Sequence, residues 1–167
     1  MTRVCIADSF PIVTSGIQSY FQGNSKIEIV AKSNNLESLL RELNAKKIDV
    51  LILEIELDGL SSIRDIKSLL KDFPETKIIL YTSVSEQMYA PIAIKAGVSA
   101  YVSKKAELKE LESILLKVVE GSVVLSESIK KNIALLNKGK KADRLFKKLS
   151  TMNSSKSDKN IILQINL

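Results

Sequence analysis

The chain has 167 residues and a formal net charge of +6, from 25 Lys+Arg against 19 Asp+Glu. With no His and a single Cys, it has no Ser-His-Asp triad, His general base, phosphohistidine carrier, zinc finger or internal disulfide. Its 45% hydrophobic content excludes a wholly disordered chain and is enough for a real core.

Two periodicities alternate along the chain. Residues 3–7 (RVCIA) form an apolar, β-branched run and predict a strand, with Cys5 as a small core hydrophobe. No signal-peptide run opens the chain, and no apolar stretch approaches the ~20 residues of a membrane span, so a soluble, cytoplasmic protein is expected. Ile12, Ile17, Tyr20 and Phe21 have helical spacing and predict a first helix with those residues inward. Residues 26–31 (KIEIVA) predict a second strand. Leu36, Leu39, Leu40 and Leu43 predict a second helix, with Asn34-Asn35 as its cap. Residues 49–55 (DVLILEI) predict a third strand, whose unbroken apolar centre suits burial on both faces. Asp58-Gly59 reads as a turn, then Ile63, Ile66, Leu69 and Leu70 as a third helix. Residues 77–81 (KIILY) and 98–102 (VSAYV) predict two further strands. Each is followed by helical spacing: Ile92, Ala93, Ala96, then Leu108, Leu111, Leu115, Val118. Strand and helix alternating five times predict an α/β fold, with helices on both faces of a five-stranded, doubly wound parallel sheet.

Charge divides the chain. Residues 1–120 carry net −1 and residues 121–167 net +7. Gly121 is a predicted helix terminator and marks the boundary between a body and a basic tail. Residues 126–137 predict a short sixth helix, capped by Ser126. Residues 138–141 are a basic linker, and residues 151–160 are polar and irregular by composition.

The predicted strands end in polar groups: Asp8 after the first, Glu54 after the third, Thr82 after the fourth and Lys104 after the fifth. Ligands of open parallel sheets bind outside the carboxyl ends of the strands. A lone acid at such an end is usually a loop residue or a cap. Four polar ends in register point instead to one site.

The motifs 3–12 (RVCIADSFPI), 48–59 (IDVLILEIELDG), 77–83 (KIILYTS) and 96–104 (AGVSAYVSK) together carry a resemblance. Over residues 2–120 the sequence resembles the receiver domains of two-component response regulators, of the NarL/LuxR type. The resemblance implies a flavodoxin-like (βα)5 fold and a signalling module rather than an enzyme. It implies that Asp8 helps to hold Mg²⁺, with the Glu56 backbone carbonyl as a further ligand. Glu54 stands where the family has its phosphorylated Asp. Thr82 matches the switch hydroxyl, Tyr101 the switch aromatic and Lys104 the base that pairs with phosphate. Lys105 replaces a common Pro, so no cis peptide is expected there.

Two departures matter. Asp8-Ser9 stands where the family has two adjacent acids, which leaves the Mg²⁺ site weak or lost. Glu54 is one methylene longer than Asp, so its carboxylate would reach the phosphoryl position, pair with Lys104 and accept from Thr82. Either Glu54 mimics the phosphorylated state in part, or the pocket has become a structural ion pair. The expected partners are a sensor kinase or other signalling protein. A second copy is also expected, docking through the fourth helix, fifth strand and fifth helix, where Ile92, Ala96 and Tyr101 lie. The alternatives are a small flavodoxin-like enzyme or nucleotide binder, and a non-specific DNA binder acting through the tail. Ser9-Phe10-Pro11 stands where a Gly-rich phosphate loop would be. The tail resembles a linker helix and the start of a helix-turn-helix output region that is then incomplete. DNA binding is therefore not expected of this form.

Overall fold

The computed structural model describes residues 1–125. The helix expected over residues 126–137 and the rest of the tail lie outside the described residues. Strands and helices alternate as β1 (Thr2–Ala7), α1 (Pro11–Tyr20), β2 (Ile27–Ser33), α2 (Leu36–Ala45), β3 (Val50–Leu53), α3 (Ile63–Asp72), β4 (Lys77–Thr82), α4 (Glu86–Ala96), β5 (Ala100–Ser103) and α5 (Leu108–Val119). Local chemistry sets several boundaries. Pro11 opens α1, where its missing N–H costs nothing. The Asn35 side chain caps α2 by accepting from the Ser38 N–H at 2.8 Å. Ser62 and Asp65 form a reciprocal capping box at α3.

All strand pairs are parallel, in the order β2-β1-β3-β4-β5. The chain leaves β1 toward one edge and returns on its other side, so strand order reverses at β1. Side chains alternate between two cores. Val50 and Ile52 face α1 and α5 with Ile17, Phe21, Leu111 and Leu115. Leu51 and Leu53 face α2, α3 and α4 with Leu39, Leu43, Ile66 and Ala93. Cys5 is fully buried in the second core, and burial pushes its thiol up to about 12, with the Glu42 charge adding. No helix among the described residues is long and apolar enough to cross a membrane.

Three expected core residues are exposed. Ile12 is 80% exposed, Tyr20 40% and Leu40 36%. In α1 the buried stripe is Thr14 and Ile17, continued by Phe21, and Ile12 lies about 140° around the helix from Ile17. The Tyr20 hydroxyl donates to Glu112 Oε2 at 2.9 Å and ties α1 to α5 at the surface.

The outer edge of β2 is guarded by Lys46. Its Nζ donates to the Val30 carbonyl at 2.9 Å and pairs with Glu42 Oε2 at 2.7 Å. At the amino ends of the strands, close to Lys46, Arg3 of β1 grips Asp49, just before β3. Its Nε and Nη2 reach the two carboxylate oxygens at 3.1 and 2.8 Å. That hydrogen bonding holds the Asp49 carboxyl below its ordinary 3.8, against the opposing effect of burial. A depressed carboxyl stabilises the fold above its ordinary pKa, and the gain is lost as pH falls through the folded value. Asp49→Asn is therefore expected to reduce the acid-side loss of stability, read by urea unfolding on either side of pH 3.8.

Candidate functional site

Backbone register brings the polar strand ends together. Ala7 pairs with Leu53, and the Glu54 N–H donates to the Ala7 carbonyl at 2.9 Å, so Asp8 and Glu54 emerge side by side. Thr82 pairs with Ser103, and the Lys104 N–H donates to the Thr82 carbonyl at 2.9 Å. Lys104 thus starts beside β4, and its side chain crosses the end of that strand. Its Nζ lies 2.5 Å from Asp8 Oδ2 and 2.5 Å from Glu54 Oε2. Asp8 is 2% exposed and Glu54 4%, so both acids are shielded from water and depend on the lysine charge. Burial works against the ammonium, but hydrogen bonds to Asp8 and Glu54, with their charges, hold its pKa above 10.5. The Phe10 ring lies 5.7 Å from the same nitrogen and covers it from outside.

The remaining carboxylate oxygens are also engaged. Asp8 Oδ1 accepts from the Phe10 N–H at 2.8 Å, and Glu54 Oε1 accepts from the Glu56 N–H at 3.2 Å. Ser9 supplies a hydroxyl where a second acid was sought, and this oxygen accepts the Asp58 N–H at 2.9 Å. A hard divalent ion needs several free oxygens. Asp8, Ser9 and Glu54 already have partners for theirs, and no group of three His, Cys, Asp or Glu among the described residues could hold a metal. Each carboxylate oxygen of Asp8 and Glu54 already has a partner, which a Mg²⁺ ion at this site would have to displace or share.

Thr82 and Tyr101, expected as switch residues, are joined through Val84, with one difference from expectation. Thr82 is fully buried, but its hydroxyl accepts the Val84 N–H at 3.2 Å and does not donate to Glu54. Tyr101 is 5% exposed, more deeply buried than a half-exposed strand aromatic and with little surface to offer a second copy. Its hydroxyl donates to the Val84 carbonyl at 2.9 Å. Burial, then the charges of Glu54 and Glu86, push its phenol well above the ordinary range, so it stays a donor. Val84 therefore links Thr82 and Tyr101 through its main chain. No side-chain pattern could have disclosed that. Lys105 has no cis bond beside it; none occurs among the described residues.

The loop after Glu54 is pinned on two sides. Besides the bond to Ser9, the Asp58 carbonyl accepts the Leu36 N–H at 2.7 Å. Gly59 follows with φ +85°, and a Cβ there would stand 3.1 Å from Leu36 Cβ. Glycine meets both the turn and the close approach.

Comparison with known proteins bears on the family and the fold. The family model described as the response regulator receiver domain matches residues 4–116. The chain belongs to the response regulator receiver domain family. It is a receiver of two-component signalling, related to families of transcription regulators. Fimbriae Z protein of Salmonella typhimurium is 33% identical over 121 residues, which are 71% of this chain and 56% of that protein. The uncharacterized transcriptional regulatory protein YhcZ of Bacillus subtilis is 31% identical over 109 residues, 65% of this chain and 51% of that protein. The receiver thus spans little more than half the length of these relatives. Among solved structures, a LuxR-family response regulator from Aurantimonas sp. SI85-9A1 aligns with TM-score 0.72 at 22% identity, over 82% of this chain and 99% of that one. The isolated receiver domain of RcsB from Salmonella enterica serovar Typhimurium aligns with TM-score 0.70 at 23% identity, over 78% and 96%. These two likenesses establish the fold.

Two outcomes are expected. Lys104→Met strands two buried carboxylates and should cost about 3–5 kcal/mol in urea unfolding, with Glu54→Gln in the same chain recovering a large part. Ser9→Ala should cost only about 1 kcal/mol, and amide exchange at Asp58 should quicken.

Proposed function

We propose that this receiver signals by protein contact without accepting a phosphoryl group, with Glu54 supplying from within the charge that phosphorylation would bring. The observation that carries this reading is the Lys104 ammonium, 2.5 Å from both Asp8 Oδ2 and Glu54 Oε2. A nucleophile at the phosphoacceptor position must have a free oxygen lined up with the phosphorus. Both Glu54 oxygens are instead held, one by Lys104 and one by the Glu56 N–H. Lys104 is then a fixed brace for the ends of β1 and β3 rather than a group waiting for phosphate. Tyr101 and Thr82, both bonded to Val84, keep the β4–α4 turn in one packing. The pocket needs no Mg²⁺ in this reading, because Lys104 supplies the cation. The partners are a sensor kinase or other signalling protein, and a second copy, meeting the face built from α4, β5 and α5.

Incubation with Mg²⁺ and a small-molecule phosphodonor, followed by intact-mass measurement, tests this. The expected result is no phosphoryl adduct. An adduct that disappears in Glu54→Ala would overturn the proposal. The scaffold has its own check: Glu54→Asp with Ser9→Asp should gain Mg²⁺-dependent binding of beryllofluoride, and a folded double variant that binds none would count against the pocket assignment.

A further inference from the structure

The chain that follows α5 does not simply leave the domain. Gly121 has φ +91°, a conformation side-chain-bearing residues rarely adopt. Its N–H donates to the Val118 carbonyl at 2.9 Å, and the Ser122 N–H to the Lys117 carbonyl at 3.0 Å. This is the paired bonding of a Schellman turn, which ends α5 and reverses the backbone. The returning segment lands on the open edge of β5. The Val124 N–H donates to the Ser99 carbonyl at 2.9 Å, and Val124 pairs in parallel with Ala100. Val124 packs on the α1–α5 core and Leu125 on the opposite core, as consecutive strand residues should.

We infer that residues 122–125 act as a self-docked sixth strand, a readout element by which the packing of Tyr101 governs how the rest of the chain leaves the domain. Val124 and Leu125 line a cleft of about 470 Å³ together with Glu86, Tyr101, Lys105 and Ile114. Tyr101 thus has two roles at once. Its hydroxyl holds Val84 beside the Thr82 and Glu54 side of the sheet end, and its side chain helps to wall the cleft on which the returning strand rests. Ala100, its immediate neighbour, is the residue that Val124 pairs with. A change in Tyr101 therefore reaches the returning segment through the core that Tyr101 shares with Leu125 and through the β5 backbone, where Ala100 pairs with Val124.

The attachment is suited to a readout because it is slight. A single main-chain rung is a slight hold beside the paired strands of the sheet, so the segment can open while the five-stranded sheet stays closed. This coupling depends on packing alone and holds whether or not Glu54 accepts a phosphoryl group, so it and the proposed function can fail separately.

Amide hydrogen exchange on the full chain tests it, with Val4 and Ile52 as reporters of the intact sheet. In the wild type, Val124 should exchange about 10-fold or more slower than the exposed Val123. Tyr101→Ala should speed Val124 about 10-fold and leave Val4 and Ile52 unchanged. Gly121→Val, which cannot hold the turn, should speed Val124 in the same way. The inference is overturned if Val124 is unprotected in the wild type, or if its protection survives both substitutions. If Tyr101→Ala also exposes Ile52, Tyr101→Phe decides: it keeps the ring but loses the bond to Val84. Faster exchange at Val124 then supports the coupling, and unchanged exchange overturns it.

Discussion

Two buried carboxylates side by side repel each other unless a cation lies between them. In this receiver the cation is Lys104, and the arrangement of the sheet's carboxyl end follows from it. Asp8 and Glu54 emerge next to each other because β1 and β3 pair directly and in register. Lys104 reaches them because only β4 separates β5 from β3. Phe10 lies over the ammonium and both acids are buried, and it is the hydrogen bonds and charges of Asp8 and Glu54 that hold the lysine's proton against that burial.

Glu54 and Ser9, which the proposed function reads as departures from the family pattern, fit one another physically. A longer acid at position 54 extends into the space between strand ends and meets the lysine there. A serine at position 9 removes one negative charge from a pocket that has a single lysine to neutralise it. It also turns that side chain from a charge carrier into a fastener for the loop that follows Glu54. An aspartate at position 9 with Glu54 retained would place three acids around one ammonium.

Most of the fold could be read in the sequence because its strands and helices differ sharply in period. The run 50–53 could hardly be anything but a central parallel strand, and all four of its residues are buried. The site was legible for a related reason: in a parallel sheet the residue after each strand has only one place to go. What stayed hidden was work done by the main chain or by position around a helix. Ile12 has the right distance in sequence from Ile17 to look like core, yet the helix turns it to solvent. Val84 joins Thr82 to Tyr101 through its amide and carbonyl, groups every residue has. Ser9 looked like the loss of an acid, and its bond to Asp58 needed a loop 49 residues away. The rung at Val124 lay beyond the expected body, in a stretch read only as the approach to a linker.

The sheet has two outer strands, β2 and β5, and each has a row of main-chain groups that could recruit a strand from another molecule. Lys46 spends its ammonium on a β2 carbonyl, and Val124 occupies a rung on β5. One edge thus carries a charge that an incoming strand would have to strip of water, and the other is partly taken by the molecule's own chain. A protein rich in Ile, Leu and Val sheet residues is in this way guarded against growing edge to edge into a polymer, at both ends and by local means.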